Sequence, residues 1–285
     1  MNAVIYHSPN GRVTGALTDA LDYYAALRLD GRGILLVVIG VKREDVLTLM
    51  HDRYRHAAAL KSGLRFIATR VLLAFTGFQR VLTPYSAYQR VRHFLRAETV
   101  YILPSQVLRH HHERGRIHDR SNCVFLLDPH RHPYAVHRRE AYRKKLFLAD
   151  LPEVGASDNA VLISTVSTHK QHRADALTEG LRRCEPFNEA IALSYKRESP
   201  LASLRLLRPP VPGFFARFDH YLYLPPLGGY DENPRLVFEA RWLGKKLTIV
   251  EDGTDPERVE QLRNGPMPVL EPDDPIFSWF PGKEN

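Results

Sequence analysis

Cysteine is almost absent from the 285 residues: Cys123 and Cys184 are the only two. They lie far apart and neither belongs to a CxxC or CxxH pattern. That excludes a disulfide scaffold and argues against a cysteine-based zinc site, leaving two small buried apolar residues as the preferred reading. Long apolar runs are lacking as well. The longest, Ile34 to Val41, is too short to cross a bilayer, so no transmembrane segment is expected. The opening Ala3-Val4-Ile5-Tyr6 is not preceded by the basic, apolar and small-residue succession of a secretory signal, so a cytoplasmic location is expected. No repeat at solenoid spacing and no low-complexity segment occurs.

What is present fits a soluble globular enzyme: 44% apolar and 25% charged residues, in a chain long enough for two ordinary domains. The net charge is +8. Its excess is local, because between Arg90 and Lys145 thirteen Lys or Arg stand against five Asp or Glu, a surplus of eight. A basic face of this kind attracts phosphate-bearing partners by long-range Coulomb steering. A solvated surface on an arginine-rich protein is the other reading of the same residues.

Along the chain, strand-like apolar runs alternate with amphipathic stretches, which predicts an α/β fold with mostly parallel strands. The first half offers strands at Ala3–His7, Gly33–Ile39, Thr99–Leu103 and Cys123–Leu127, with weaker ones at Leu64–Ala68 and Arg80–Leu82. Helices fit at Ala16–Arg28, Arg43–Leu60 and Tyr85–Leu95. In the second half the strands are Ala160–Thr165, Ala190–Tyr195, His220–Leu224 and Lys246–Val250, and the helices His172–Cys184, Asn233–Leu243 and Pro256–Leu262. The charged stretch from Asp128 to Ala156, with Pro129, Pro133 and Pro152, suits a crossover between domains. Expected boundaries are therefore residues 1–150, 151–265 and a tail, 266–285. Phe277, Trp279 and Phe280 are seldom left in water, so the tail is expected to pack back on the body.

The most informative segment runs from Leu224 through Pro225-Pro226-Leu227-Gly228-Gly229-Tyr230-Asp231-Glu232-Asn233-Pro234-Arg235 to Gly244. A strand ends in a Pro/Gly turn, and Asn233 followed by Pro234 predicts a capped helix start with proline at the first helical position. Gly244 stops the helix. Glycines ahead of a helix N-terminus leave backbone N–H groups and the positive end of the dipole open to a phosphate. Glu239 lies about one and a half turns further on, within reach of a ribose.

This segment resembles the donor-binding helix of GT-B glycosyltransferases, in which an acidic residue, seven others and a glutamate follow one another; here Asp231 and Glu239 hold that spacing. The resemblance implies two Rossmann-like domains facing a cleft. It makes Glu239 the ribose ligand and gives Gly228, Gly229, Tyr230, Asp231, Glu232, Asn233 and Arg235 to the donor. It also implies a cation after the strand ending at Thr165, for which Lys170, then Arg173, are the candidates to neutralise the donor pyrophosphate. The loop after the first strand, with Gly11, Thr14 and Gly15, falls on the acceptor side. A nucleotide-sugar, foremost a UDP-sugar, is the implied co-substrate. No metal cofactor is required, because amides and a cation can stabilise the leaving diphosphate and the Asp-x-Asp motif of the other large glycosyltransferase fold is missing. An inverting reaction needs a base in the first domain, for which Asp19 and Asp128 are the candidates; both also have structural readings, and retention stays open.

Histidines crowd one region, at His110, His111, His112, His118, His130, His132 and His137. Three adjacent side chains diverge on any regular element, so solvated or phosphate-facing roles are preferred to a metal site. The basic surplus falls in the half that the resemblance makes the acceptor side, so a polyanionic acceptor is expected. Compact GT-B enzymes of phages glycosylate hydroxymethylated pyrimidines in DNA and are similar in size and charge. Tyr85, Tyr88, Tyr134 and Tyr142 are available for stacking on a base flipped from the duplex. The alternatives are transfer to a cell-surface glycan or lipid carrier at anionic headgroups, a nucleotide-sugar epimerase, and a nucleic-acid-binding protein that keeps the fold without the chemistry.

Overall fold

The computed structural model describes residues 2–8, 11, 13–68, 84–104, 122–126, 145–155, 157–163, 174–193, 204–225, 234–251, 255–280 and 282. The chain divides into two compact units: Met1–Asp150 with Val269–Asn285, and Leu151–Pro268.

In the first unit, β1 (Asn2–His7) and β2 (Ile34–Ile39) are buried at every position. Apolar, largely β-branched runs of this length suit strands covered on both faces of a parallel sheet. Side chains alternate between two cores. Val4, Tyr6, Leu36 and Val38 point to one, and Ala3, Ile5, Val37 and Ile39 to the other. With β3 (Leu64–Ile67), β4 (Val100–Pro104) and β5 (Cys123–Phe125) they form a parallel five-stranded sheet in the order β3-β2-β1-β4-β5. Helix α1 (Gly15–Leu29) lies in the first core and is buried continuously from Leu17 to Leu27. Such a helix is apolar nearly all round because it is covered on more than one side.

The stretch expected as one helix over Arg43–Leu60 is instead α2 (Arg43–Arg53), three non-helical residues (54–56) and α3 (Ala57–Leu60), followed by a short 3-10 turn. The break falls at Tyr54, with φ −128° and ψ 126°. Its hydroxyl donates to Asp22 Oδ1 at 2.5 Å. Asp22 Oδ2 also accepts from the Phe147 amide at 3.1 Å. A buried carboxylate needs such partners, and supplying one takes Tyr54 out of the helix. On the sheet's other face lies α4 (Pro84–Leu95), with Tyr88 and Val91 against Val100, Ile102 and Cys123.

The second unit repeats the same order. Strands β6 (Ala160–Ile163), β7 (Glu189–Leu193), β8 (Arg205–Leu207), β9 (His220–Tyr223) and β10 (Lys246–Ile249) are all parallel, in the order β10-β9-β6-β7-β8. Edge strand β8 is not among the strands expected from the sequence; three residues carry no periodic signal. Helices α5 (Ala174–Cys184), α6 (Arg235–Trp242) and α7 (Pro256–Asn264) pack around this sheet. Gly180 of α5 sits so close to it that a Cβ would stand 2.9 Å from Leu222 Cδ1 and 3.0 Å from Val250 Cγ2. Cys123 and Cys184 are both buried and unbridged.

The C-terminal segment belongs to the first unit. Its short α8 (Pro275–Ser278) and Phe280 cover α1, with Ile276, Phe277 and Phe280 buried. Phe280 and Trp279 lie on Tyr101, with centroids 4.7 Å and 5.8 Å away. Arg32 donates to the carbonyls of Phe280 and Phe277 at 2.9 Å and 3.2 Å. Among the described residues, no helix is long and apolar enough to cross a membrane.

Removing the Phe280 ring by Phe280→Ala is expected to cost about 3–5 kcal/mol, the range for a buried aromatic truncated in a core. Gly180→Ala is expected to cost about 1–3 kcal/mol by overpacking. Urea unfolding of the full chain measures both.

Candidate functional site

In each sheet the strand order reverses beside a central strand, between β1 and β4 in one unit and between β6 and β9 in the other. The carboxyl edge at such a reversal is where open α/β sheets take ligands.

In the second unit, β6 ends at Ile163 and β9 at Tyr223, and the two strands pair side by side through Ile163 and Leu222. The segments carrying Lys170 and Arg173, and Gly228, Gly229, Tyr230, Asp231, Glu232 and Asn233, follow these two ends but lie outside the described residues. Beyond the second segment, α6 starts at Arg235. Pro234 (φ −67°, ψ 104°) occupies the cap rather than the first helical position, and no side chain caps the helix. The expected start with proline inside the helix is thus displaced by one residue, because Pro234 keeps an extended ψ that cannot begin the helical turn.

Arg235 and Glu239 come together on this helix. Arg235 Nη1 donates to Glu239 Oε1 at 3.2 Å, and Glu239 is fully buried. A cation in the first turn opposes the helix dipole and is unfavourable for the helix alone. The carboxylate one turn on offsets this by pairing with the guanidinium. An oxyanion is the ligand that such a start receives.

In the first unit, Ser8, Gly11 and Thr14 form hydrogen bonds just after β1. Gly11 has φ +70°, in the left-handed region, and a Cβ there would stand 3.3 Å from the Gly40 carbonyl oxygen. Its amide donates to the Ser8 carbonyl at 3.1 Å. Thr14 stands at the cap of α1, but its hydroxyl pairs with that of Tyr6 at 2.8 Å and not with a helix amide. Gly15 opens the helix, and a Cβ there would meet nothing within 4 Å. Gly11, Thr14 and Gly15 therefore gather at the carboxyl end of β1. Asp19 lies one turn into α1 and is buried; Asp128 is outside the described residues.

One residue at this edge escaped sequence reasoning. His7 ends β1, is fully buried, and pairs through Nδ1 with the Tyr88 hydroxyl at 3.0 Å. The rings meet edge-on at 83°. Nε2 has no hydrogen-bond partner among the described residues. Burial pushes the imidazole down to about 4 from 6.5. The available signal was positional: a polar residue closing an otherwise apolar strand, just ahead of a Ser-Pro-Asn-Gly turn. The crowded histidines are the louder signal, and those between 105 and 121 and between 127 and 144 lie outside the described residues. Among the described residues no three His, Cys, Asp or Glu are placed to hold a metal ion.

The strands define a protein of two Rossmann-like α/β units of identical strand order. No protein-family model matches the chain, and no curated protein matches it by sequence. Among solved structures the chain is similar to HepE of Anabaena, in complex with UDP and glucose, at 12% identity and TM-score 0.48, over 86% of this chain and 79% of that one. It is also similar to the E. coli heptosyltransferase WaaC with ADP, at 14% identity and TM-score 0.40, over 87% of each chain. A third is the glycosyltransferase SnogD from Streptomyces nogalater, at 12% identity and TM-score 0.36, over 93% of this chain and 84% of that one. Identities and scores this low establish neither family nor activity, and the fold rests on the two sheets themselves.

Folded His7 resists protonation until about pH 4, whereas the unfolded residue takes a proton near 6.5. The unfolded state thus binds more protons in that window, and stability falls as pH falls through it. Between pH 7 and pH 5 the loss attributable to His7 is expected to be roughly 2 kcal/mol at 1.36 kcal/mol per unit. Comparing urea midpoints of the natural chain and His7→Gln at both pH values isolates this contribution, which the variant lacks.

Proposed function

We propose that this protein is a GT-B-type glycosyltransferase that binds a nucleotide-sugar, foremost a UDP-sugar, at the carboxyl edge of the second sheet. The observation that carries it is the Arg235–Glu239 pair at the uncapped start of α6, the helix that follows the strand beside the order reversal. A nucleoside diphosphate has the two features this pair complements: an oxyanion for the helix start and a vicinal diol for a carboxylate. Donor binding turns the Arg235 guanidinium from Glu239 toward the diphosphate and gives Glu239 to the ribose hydroxyls. Lys170 and Arg173 add positive charge for the pyrophosphate, and Gly228, Gly229, Tyr230, Asp231, Glu232 and Asn233 surround the donor. Stabilising the leaving diphosphate in this way requires no metal. Asp19 or Asp128 deprotonates the acceptor if the reaction inverts, and Gly11, Thr14 and Gly15 border the acceptor.

For the acceptor, the surplus of eight positive charges between Arg90 and Lys145 supports a polyanion, and a hydroxymethylated pyrimidine in DNA is our reading. One observation favours a second, a lipid-linked or cell-surface glycan acceptor. Phe94 on α4 is 81% exposed, and Arg90, His93 and Arg96 beside it are exposed too. An aromatic side chain among cations suits an anionic lipid interface.

Screening nucleotide-sugars for thermal stabilisation tests the donor. A ligand at 100 times its dissociation constant stabilises the folded state by about 2.7 kcal/mol, so a UDP-sugar is expected to raise the melting temperature by several degrees. Glu239→Gln is expected to abolish that rise while the variant still melts cooperatively. Failure of every nucleotide-sugar to stabilise or be hydrolysed, with salt-dependent DNA binding intact, would leave a binding protein and no transferase.

For the acceptor, gel shifts with plain and hydroxymethylated duplexes are expected to show retardation that weakens with salt. Absence of binding to either duplex, together with flotation on anionic liposomes that Phe94→Ser abolishes, would transfer the assignment to the lipid reading.

A further inference from the structure

On the side of the first sheet opposite its carboxyl ends, where α1 finishes and β3 begins, positive charge is gathered on one short turn. Lys61 and Ser62 of the 3-10 turn Lys61–Gly63 are exposed, as is Arg65 of β3, and Arg28 of α1 is half-buried. Arg28 Nη2 donates to Ser62 Oγ at 3.1 Å. Arg65 Nη1 donates to the Ser62 carbonyl at 2.9 Å and to the Leu64 carbonyl at 2.8 Å. Two guanidinium groups thus meet at the two oxygens of one residue, and the lysine precedes it in the chain. The turn itself is fixed. The Tyr24 hydroxyl donates to the Leu60 carbonyl, and Gly63 packs so closely on the Tyr24 ring that a Cβ would have no room.

Neighbouring groups do not balance this charge. Burial pushes the Tyr24 phenol up to about 12 against the pull of Arg28 and Arg65, so it stays protonated. Asp30, two residues from Arg28, is taken by Arg32 at 2.8 Å. Arg182, Arg183, Arg205 and Arg263 also pair with carboxylates. Among the described residues Arg28, Lys61 and Arg65 form no ion pair. A cation in the last turn of α1 suits the helix dipole, which accounts for Arg28, and the carbonyls of the turn account for one nitrogen of Arg65. Neither accounts for like charges brought together, whose repulsion rises as their separation falls. A bound anion removes that repulsion. Each guanidinium spends one terminal nitrogen on these bonds, leaving Nε and the other terminal nitrogen as a planar fork. Such a fork matches two oxygens of a phosphate or carboxylate. Two forks and an ammonium need more acceptor oxygens than a carboxylate has, and a phosphate has them.

We propose that Arg28, Lys61 and Arg65, set around Ser62, form a phosphate-binding site on the first unit. It does not rest on the transferase reading. The phosphate belongs to a free phosphoryl compound or to a nucleic-acid backbone, and the chemistry recognised is the same.

The test uses the full chain labelled with 15N-arginine, with the Nε resonances of Arg28 and Arg65 assigned by their loss in Arg28→Lys and Arg65→Lys. Inorganic phosphate and a short DNA duplex are titrated separately at constant ionic strength. The expected result is a saturable shift of both resonances with phosphate. Affinity is expected to fall roughly tenfold in Arg28→Gln, read from Arg65, and in Arg65→Gln, read from Arg28, as loss of one charge-assisted hydrogen bond predicts. Arg182→Gln removes the same charge elsewhere and is expected to leave the affinity unchanged. Absence of a saturable shift, or equal weakening by Arg182→Gln, overturns the proposal, since diffuse attraction then explains the binding. A duplex that moves the same two resonances at lower concentration than phosphate supports the site with a nucleic-acid backbone as its ligand. A response to phosphate and none to the duplex supports it with a free phosphoryl compound. Duplex binding that both Gln variants leave unchanged, without phosphate binding, removes the site and assigns DNA to other residues.

Discussion

A strand in the middle of a parallel sheet has both edges committed to neighbours and both faces covered, and the layout of both units follows from that constraint. β1 and β6 pair on each side, so their side chains are taken up by packing. Only the carboxyl end remains for chemistry. Successive connections first build outward in one direction and then return to the other side, so that the order reverses beside β1 and beside β6. The protein makes this arrangement twice with the same order, yet equips the two edges differently. The first unit ends its central strand in a buried imidazole, His7, and the second has a helix start with an arginine and a buried glutamate.

A polar network around the buried Asp22 and Asp150 ties residues 54–56 to residues 147–150. Asp22 accepts from Tyr54 and from the amide of Phe147. Asp150 accepts from His56 Nδ1 at 2.6 Å, and the Asp150 carbonyl accepts from the Arg55 amide at 2.9 Å. The chain is thus fastened to the first unit just before it leaves, and the C-terminal segment returns to close the same side. Leu270 donates to the Leu146 carbonyl at 2.8 Å, and Lys145 pairs with Asp274 at 2.5 Å. The two ends of the excursion through the second unit meet at one place. The aromatic tail then supplies apolar cover that α1, buried on nearly every side, needs.

The second edge shows how a locally unfavourable choice becomes intelligible at a higher level. An arginine in the first turn of α6 works against the dipole, and a buried glutamate is costly in isolation. At i and i+4 they form an ion pair, Arg235 Nη1 to Glu239 Oε1 at 3.2 Å, that offsets part of both costs. A helix built only for stability would start with an acidic residue and bury a leucine.

How much of this was legible in the residues depends on whether the signal was local. The apolar runs of β1, β2 and β6, and the alternation of strand and helix in both halves, were legible because burial on both faces writes itself into every position of a strand. The helix that carries Glu239 was legible to within a residue or two of its observed ends, because its signal too is local. Other features have no local mark. The interruption at Tyr54 arises because Asp22, distant in sequence, claims its hydroxyl. Strand β8 is three residues long and exists because β7 has a free edge, with Arg205 bonded to Glu189 across it. His7 reads as the polar end of a strand until Tyr88 and the pairing with β2 and β4 enclose it. Composition and periodicity therefore determined the two α/β halves and the i, i+4 spacing of Arg235 and Glu239 on α6, since both depend on neighbours in sequence. Which strand end became an enclosed polar site, and where the tail found its partners, only tertiary packing decided, because desolvation is a property of what surrounds a group and not of the group itself.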